Sequence, residues 1–346
     1  MHATLSPDQL IDDPHWLCFG FNPAQRRLYF LHASDGEMER AVFLDQGAFD
    51  VSRCVGIELE DVAAALADRP RALPGVILHP AFACSTLLAR CLEQPGRSRV
   101  LRELPVFSGL AQARLQVDAC TWRLLLDCVA TLTARPFPGH GLCFNKPSNV
   151  FLPAALDFLE AAPAGQAVLI DLGLPEFLLS CAKKAAAGPR PLLAMYLALD
   201  PTGAHAARHG VHLPTAPVLS LAGLVWHWQM QLLHRIARSG HSSRVRRLGV
   251  DAFLDAPVAA SEAALAWLAQ APGIGIDPAR IATLMQGDAK RPGQRLDAGL
   301  RKTQAEEALA RHRQEIDAAL EWCERTFGPW QRAYQTGIAP LSFPAA

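Results

Sequence analysis

Two periodicities divide the chain. From about residue 74, short apolar runs alternate with segments whose apolar positions recur at helical spacing. VILH (76–79), RVLREL (99–104), GLCFN (141–145) and QAVLIDL (166–172) read as strands. Helices are predicted over 85–92, 115–134, 151–161 and 175–184, with Pro95-Gly96 and Pro136 as stops. Such alternation predicts an α/β fold whose mostly parallel sheet is covered on both faces. Further on, apolar residues at 218, 221, 225, 228, 232 and 236 mark one face of a long helix, with Gly240 placed as its C′ residue. VRRLGVDAFLDAP reads as a last strand and its exit. ASEAALAWLAQ and KTQAEEALARHRQEIDAALEWCERTF read as helices. Between those helices, GDAKRPGQRLDAGLRKT is polar and basic and reads as a mobile loop.

The first 60 residues follow another pattern. Leu28 to Leu31 and Ala41 to Leu44 are short apolar runs, with Asp35-Gly36 between them, which predicts a β-hairpin. LEDVAAALADR (59–69) reads as a helix. The chain thus divides into an N-terminal β-hairpin and helix extension, 1–70, and an α/β domain, 71–346.

Charge and cysteine content narrow the partners. Lys plus Arg and Asp plus Glu are 33 each, so no overall basic field recruits nucleic acid or an anionic membrane. Any anion site must be local. The nine cysteines form no CxxC pair and no zinc-spaced Cys/His cluster, and most sit in apolar surroundings, as reduced thiols do. No metal is expected. The N-terminus has no apolar leader, and no run approaches the length of a membrane span. The expectation is a soluble, cytoplasmic protein.

HPAFACST (79–86) lies between the first predicted strand of the α/β domain and its helix. In doubly wound sheets ligands bind at this place, where the helix start aims unpaired N–H groups and a positive dipole end outward. Ser85 and Thr86 stand at that start. The loop is not GxxxxGK[ST]: Phe82, Ala83 and Cys84 occupy the flexible or charged positions. It must therefore differ in geometry or tolerate backbone strain. An anion site and a plain N-cap at Ser85 are both open readings.

The order of segments resembles the sulfotransferase-like P-loop superfamily over roughly residues 74–325. AFACSTLL lies over that family's PRSGTTLL loop, with Ser85, Thr86, Leu87 and Leu88 matching its second half. VLIDLGLPEFLLS lies over a segment like RDPRDVAVS; Ser180 matches its serine, and Leu172 stands where the family has arginine. VRRLGVDAFLDAPVAASEAALAWLA resembles the segment YEDLLADPEAVLRRLAEFLGL, and a basic, glycine-containing loop follows in both. The resemblance implies a P-loop NTPase-like three-layer fold. It also implies transfer of a sulfuryl group from PAPS (3′-phosphoadenosine 5′-phosphosulfate), leaving PAP, to a hydroxyl or amine of a small molecule or peptide. Positioning and cations would carry such a transfer, with a base to take the acceptor proton.

On this reading Ala83, Cys84, Ser85, Thr86 and Ser180 bind the donor, and the cluster Lys290, Arg291, Arg295, Arg301 and Lys302 closes over it. Glu103 is the base; its alternative is an ion pair with a neighbouring arginine. Lys146 neutralises the transferring group; its alternative is a solvated lysine. Asn149 positions a substrate or caps the next helix. His79 is a supporting donor or a structural residue. Trp226, His227 and Trp228 line an acceptor pocket or pack in the core. Ser180 bonds its own helix backbone if it does not bind phosphate, and the basic loop is solvated if it does not close. Two other function classes remain: a kinase- or NTPase-like nucleotide-binding protein, with Asp171 as its acidic strand end, and a non-catalytic member of the fold binding a partner or metabolite.

Overall fold

The computed structural model describes residues 6–69, 75–184, 188–331 and 338–343. The boundary expected near residue 70 falls outside the described residues. The N-terminal part holds α1 (Pro7–Asp12), β1 (Trp16–Asn22), β2 (Arg27–His32), α2 (Asp35–Arg40), β3 (Val55–Glu58) and α3 (Leu59–Leu66). β1, β2 and β3 form an antiparallel sheet in that order.

The hairpin is therefore not the predicted one. Its strands are β1 and β2, and Ala41 to Leu44 is not a strand. Asp35-Gly36 lies in the first turn of α2, because Ser34 and Glu37 form a reciprocal capping box. Residues 41–44 are instead held by Arg102, whose guanidinium donates to the carbonyls of Met38 (2.8 Å), Ala41 (2.9 Å) and Val42 (3.1 Å). Leu44 N–H in turn donates to the Arg102 carbonyl at 2.7 Å.

The α/β part is built on β4 (Gly75–Leu78), β5 (Ser98–Arg102), β6 (Leu142–Lys146), β7 (Ala167–Asp171) and β8 (Val245–Gly249). All neighbouring pairs are parallel, in the order β5-β6-β4-β7-β8. The sheet sits at the middle of a three-layer α/β fold. β4 is fully buried, as an apolar strand under two helical layers should be. At Gly75 an added Cβ would lie 2.6 Å from the Phe144 ring, so this strand start admits no side chain.

α4 (Ser85–Leu92) packs against α13 (Pro257–Ala269) and α14 (Pro278–Met285). A second group joins α7 (Leu152–Ala161), α8 (Leu174–Ala182), α9 (Arg190–Leu199), α11 (Val218–Arg238) and α15 (Ala298–Gln331), which bends at His312. α5 (Pro105–Ala113) carries the N-terminal sheet. α6 (Ala119–Leu132) starts later than the helix predicted from 115, because the Asp118 side chain caps the amides of Cys120 and Thr121. α10 (Ala204–Arg208) and α12 (Val250–Asp255) are short.

Two more expectations change. α11 is not amphipathic with one apolar seam; it is buried on nearly every side, polar residues included. It ends at Ser239 in extended backbone, and Gly240 does not adopt the left-handed cap. The basic segment after residue 286 is not an open loop. β9 (Gly287–Asp288) and β10 (Arg291–Arg295) pair antiparallel with a register shift, accommodated by Gly293 at φ 86°.

Candidate functional site

The C-terminal ends of β4, β5 and β6 open into a cavity of about 390 Å³. The loop 79–86, the start of α4, Glu103, Lys146 and Asn149 form its floor. α8 supplies Ser180, with Lys183 and Lys184 following it. The segment from Asp288 to Arg301 supplies Asp288, Lys290 and Arg301, and the N-terminal part supplies Phe43.

The loop reaches the cavity by strained backbone. Phe82 and Cys84 are left-handed, at φ 65° and 54°, and so is Glu103, at φ 58°. Such a conformation costs a non-glycine residue about 1–2 kcal/mol. Left-handed non-glycine residues collect at functional sites when the surroundings over-determine them. Cys84, not Ser85, is the N-cap of α4, and no side chain caps this helix. Ser85 is its first helical residue, so the N-cap reading of Ser85 fails. The Cys84 carbonyl takes the Leu87 and Leu88 amides at 3.0 and 3.1 Å; the Ser85 and Thr86 amides come before the first intrahelical acceptor, at the wall of a cavity those two residues line. The Thr86 hydroxyl is buried with no hydrogen-bond partner. A buried unpaired hydroxyl costs about 1–3 kcal/mol, and here it lies on the wall of a cavity.

Lys146 is 1 % exposed and pairs with Glu103, 23 % exposed, through the carboxylate Oε1. The partner of Glu103 is thus a lysine at the end of the next strand, not an arginine, and Lys146 is not solvated. Burial pushes the Lys146 ammonium down to about 8; Glu103 opposes the shift, while Lys290 and Arg102 add to it. The Phe43 ring lies 5.4 Å from Lys146 Nζ and 5.9 Å from Lys290 Nζ, an aromatic face between two cations. Lys184 Nζ stands 4.0 Å over the Phe82 ring. Around the cavity, Lys146, Lys183, Lys184, Lys290 and Arg301 face only Glu103 and Asp288 as carboxylates. The local charge is positive although the chain is neutral overall.

Two buried residues hold the floor together. Gln229 Oε1, on α11, accepts from Ala81 N–H at 2.8 Å and from Asn149 Nδ2 at 3.0 Å. His79 joins the two loops, with Nδ1 2.9 Å from the Pro80 carbonyl and Nε2 2.9 Å from the Pro147 carbonyl. Burial and Lys146 push its pKa down to about 3, so the ring is neutral and donates to one carbonyl at a time.

Of the residues singled out in the sequence, Ala83, Cys84, Ser85, Thr86, Glu103, Lys146, Asn149, Ser180, Lys290 and His79 line this one cavity. Asn149 does not cap the next helix: the Ser148 hydroxyl caps the short 3₁₀ turn Asn149–Phe151, and α7 after it has no side-chain cap. Arg291 and Arg295 do not line the cavity, and Arg295 pairs with Asp297 at the surface. Lys302 pairs with Glu306 on its own helix. Leu172 is buried, and its carbonyl accepts from Trp226 Nε1 at 2.9 Å. Trp228 Nε1 donates to the Leu199 carbonyl at 3.2 Å. Neither tryptophan faces the cavity, and neither does His227. Asp171 pairs with Arg247 at 2.8 Å instead of facing the cavity. Phe43, Gln229, Lys183 and Lys184 went unread. Gln229 had one signal, a polar residue among the large apolar residues Val225, Trp226, Trp228 and Met230 of α11. Phe43 had none, because its position depends on the Arg102 clamp.

No family model matches the chain, and no curated protein matches it. No helix among the described residues is long and apolar enough to cross a membrane. Solved structures are similar to it, two sulfotransferases among them. The sulfotransferase from Alicyclobacillus acidocaldarius is 14 % identical, with a TM-score of 0.38 over 72 % of this chain and 96 % of that one. The sulfotransferase domain from the curacin biosynthetic pathway is 10 % identical, with a TM-score of 0.37 over 70 % of this chain and 98 % of that one. What the chain shares with them is a likeness of fold alone.

Proposed function

We propose that the cavity binds the anionic end of a nucleotide donor of the PAPS type and passes its sulfuryl group to a hydroxyl or amine. The acceptor is a small molecule or peptide. The observation that carries this reading is the Thr86 hydroxyl, buried and unpartnered at an uncapped helix start, in a cavity ringed by lysines. An anion there satisfies the hydroxyl and the Ser85 and Thr86 amides together. Lys290 and Arg301 supply the positive charge that the loop lacks. On this reading Ser180, Lys183 and Lys184, which line the same cavity, hold a second phosphate group.

For the transfer, the acceptor oxygen or nitrogen attacks sulfur in line, and the bond from sulfur to the donor's phosphate oxygen breaks. Glu103 offers its Oε2 for the acceptor proton, since Oε1 is engaged by Lys146. Lys146 lies where it can stabilise charge on the departing oxygen. Both groups stand on adjacent parallel strands, so their spacing is fixed by the sheet.

Thermal shift with PAP, PAPS, ATP and GTP tests the binding. A ligand at 100 times its Kd adds about 2.7 kcal/mol of stability, and PAP alone should give that gain. Stabilisation only by Mg-ATP or Mg-GTP refutes the donor class, and no response to any of them refutes the nucleotide site. Glu103→Gln should lower sulfuryl transfer by roughly 100-fold or more, the usual weight of a general base, with PAP binding retained. Unchanged turnover removes Glu103 from that role.

A further inference from the structure

Away from this cavity, His205 and His209 stand four residues apart around the end of α10, and His227 faces them from α11. One ring nitrogen from each lies within 4.8 Å of those of the other two. His205 Nε2 and His227 Nδ1 are 3.1 Å apart. Two nitrogens bound to one tetrahedral zinc at about 2.05 Å stand roughly 3.3 Å apart, so this pair already has the needed separation. His205 Nδ1 and His209 Nε2 are buried without a hydrogen-bond partner.

The rings are held in place. His227 stacks on Phe327 at 3.8 Å between centroids, and His205 stacks on Trp228 at 4.4 Å. The backbone N–H of His205 donates to Asp200 Oδ2 at 2.8 Å, and the Tyr196 hydroxyl donates to the same oxygen at 2.8 Å. Asp200 therefore fixes the start of α10 and brings a buried negative charge close to the histidines. On the other side, a cleft of about 540 Å³ is lined by His209, Gln231 and Arg208, with His234, Arg235 and Arg238 around it.

We propose that His205, His209 and His227 hold one divalent ion of the Zn²⁺ class, with a fourth position open to this cleft. His209 Nε2 is buried without a hydrogen-bond partner, and His205 Nε2 and His227 Nδ1 already converge at 3.1 Å; such an ion would satisfy the first and bridge the other two, and imidazole nitrogen suits Zn²⁺, Ni²⁺, Co²⁺ and Cu²⁺ more than Mg²⁺ or Ca²⁺. Arg208 and Arg235 oppose a bare divalent charge, so affinity is the quantity to measure. The cleft gives the ion a way in past His209 and Gln231. Three histidines with one open position is the ligand set of reactive zinc sites. The sequence signal is HAARH, whose spacing places two imidazoles one helical turn apart.

The test uses the full chain stripped of metal with a chelator, then titrated with ZnCl2 against a chromophoric competitor, and separately with CoCl2. One equivalent of Zn²⁺ should bind, and Co²⁺ should give the visible absorption of a four-coordinate nitrogen site. His209→Gln, at the half-buried edge, should weaken Zn²⁺ binding at least tenfold with unchanged far-UV circular dichroism. Loss of a ligand should exceed the 10–100-fold effect of losing an outer partner. His227→Phe, which retains an aromatic ring against Phe327, should abolish the Co²⁺ band. The proposal is overturned if the wild-type protein shows no saturable binding. It is equally overturned if His209→Gln binds Zn²⁺ as tightly as the wild type, a comparison that holds even if His227→Phe does not fold.

Discussion

Replacing Lys146 by methionine turns its buried charge into a measurable slope. The ammonium is held down to about 8, from an ordinary value of 10.5. At 1.36 kcal/mol per unit, the folded chain carries a penalty of roughly 3 kcal/mol while both states are protonated. Below about pH 8 the penalty is present in full. Between about 8 and 10.5 the unfolded chain binds more protons than the folded one, so stability rises with pH. Above 10.5 the penalty is gone. Lys146→Met has no proton to exchange at this position and supplies the baseline, and the high-titrating buried thiols are common to both proteins. Urea unfolding of both at pH 7, 8, 9 and 10 should show the wild type gaining on the variant by roughly 2–3 kcal/mol across the series. A difference that stays flat, or that falls with pH, refutes the account of Lys146 as a desolvated lysine that Glu103 only partly compensates. A bound anion would supply the missing compensation, so PAP affinity should fall as pH rises past 8.

Thr86→Val keeps the shape and removes the unpartnered hydroxyl. Its Tm should hold or rise, by up to about 1 kcal/mol in stability, while PAP binding weakens about 10–100-fold, the weight of a hydrogen bond to a charged group. Cys84→Gly relieves a left-handed cysteine at φ 54° and should stabilise by up to about 1 kcal/mol, read from urea midpoints; a loss would mean that Cys84 packing outweighs the strain. Gly223→Ala places a Cβ 2.2 Å from Cys323 Sγ, where α11 crosses α15, and should cost about 1–3 kcal/mol. Adding Cys323→Ala should restore part of that loss in a double-mutant cycle.

The strand–helix series was legible because each strand is an apolar run between turn residues, and the sheet formed as that pattern required. The loop 79–86 was legible as a place more than as a geometry: its position at a strand end is set by topology, whereas its strain is carried by Phe82 and Cys84, which no periodicity marks. The hairpin misread has one cause. Asp35-Gly36 has turn chemistry, but Ser34 and Glu37 use it as a helix start, and capping outcompetes the turn. The basic segment reads as a mobile loop from its charge, its three glycines and its proline, and that composition does not show that Gly293 lets it fold back. Lys290 and Arg301 therefore reach the cavity while Arg291 and Arg295 do not. The histidine cluster escaped because its members come from two helices, and only the HAARH pair is local.

The Arg102 clamp changes what the first 70 residues are. Its guanidinium gathers three carbonyls from the chain between Met38 and Val42, and its own carbonyl takes Leu44 N–H. Arg102 is also the last residue of β5, next to Glu103, so a strand of the central sheet and the wall carrying Phe43 share one buried anchor. Melting the N-terminal part would take three carbonyl acceptors from that guanidinium, which keeps its ion pair with Glu93, and open the lysines to water in the same event. The two parts should therefore lose structure in one calorimetric transition, with equal van't Hoff and calorimetric enthalpies, despite the change of pattern between them.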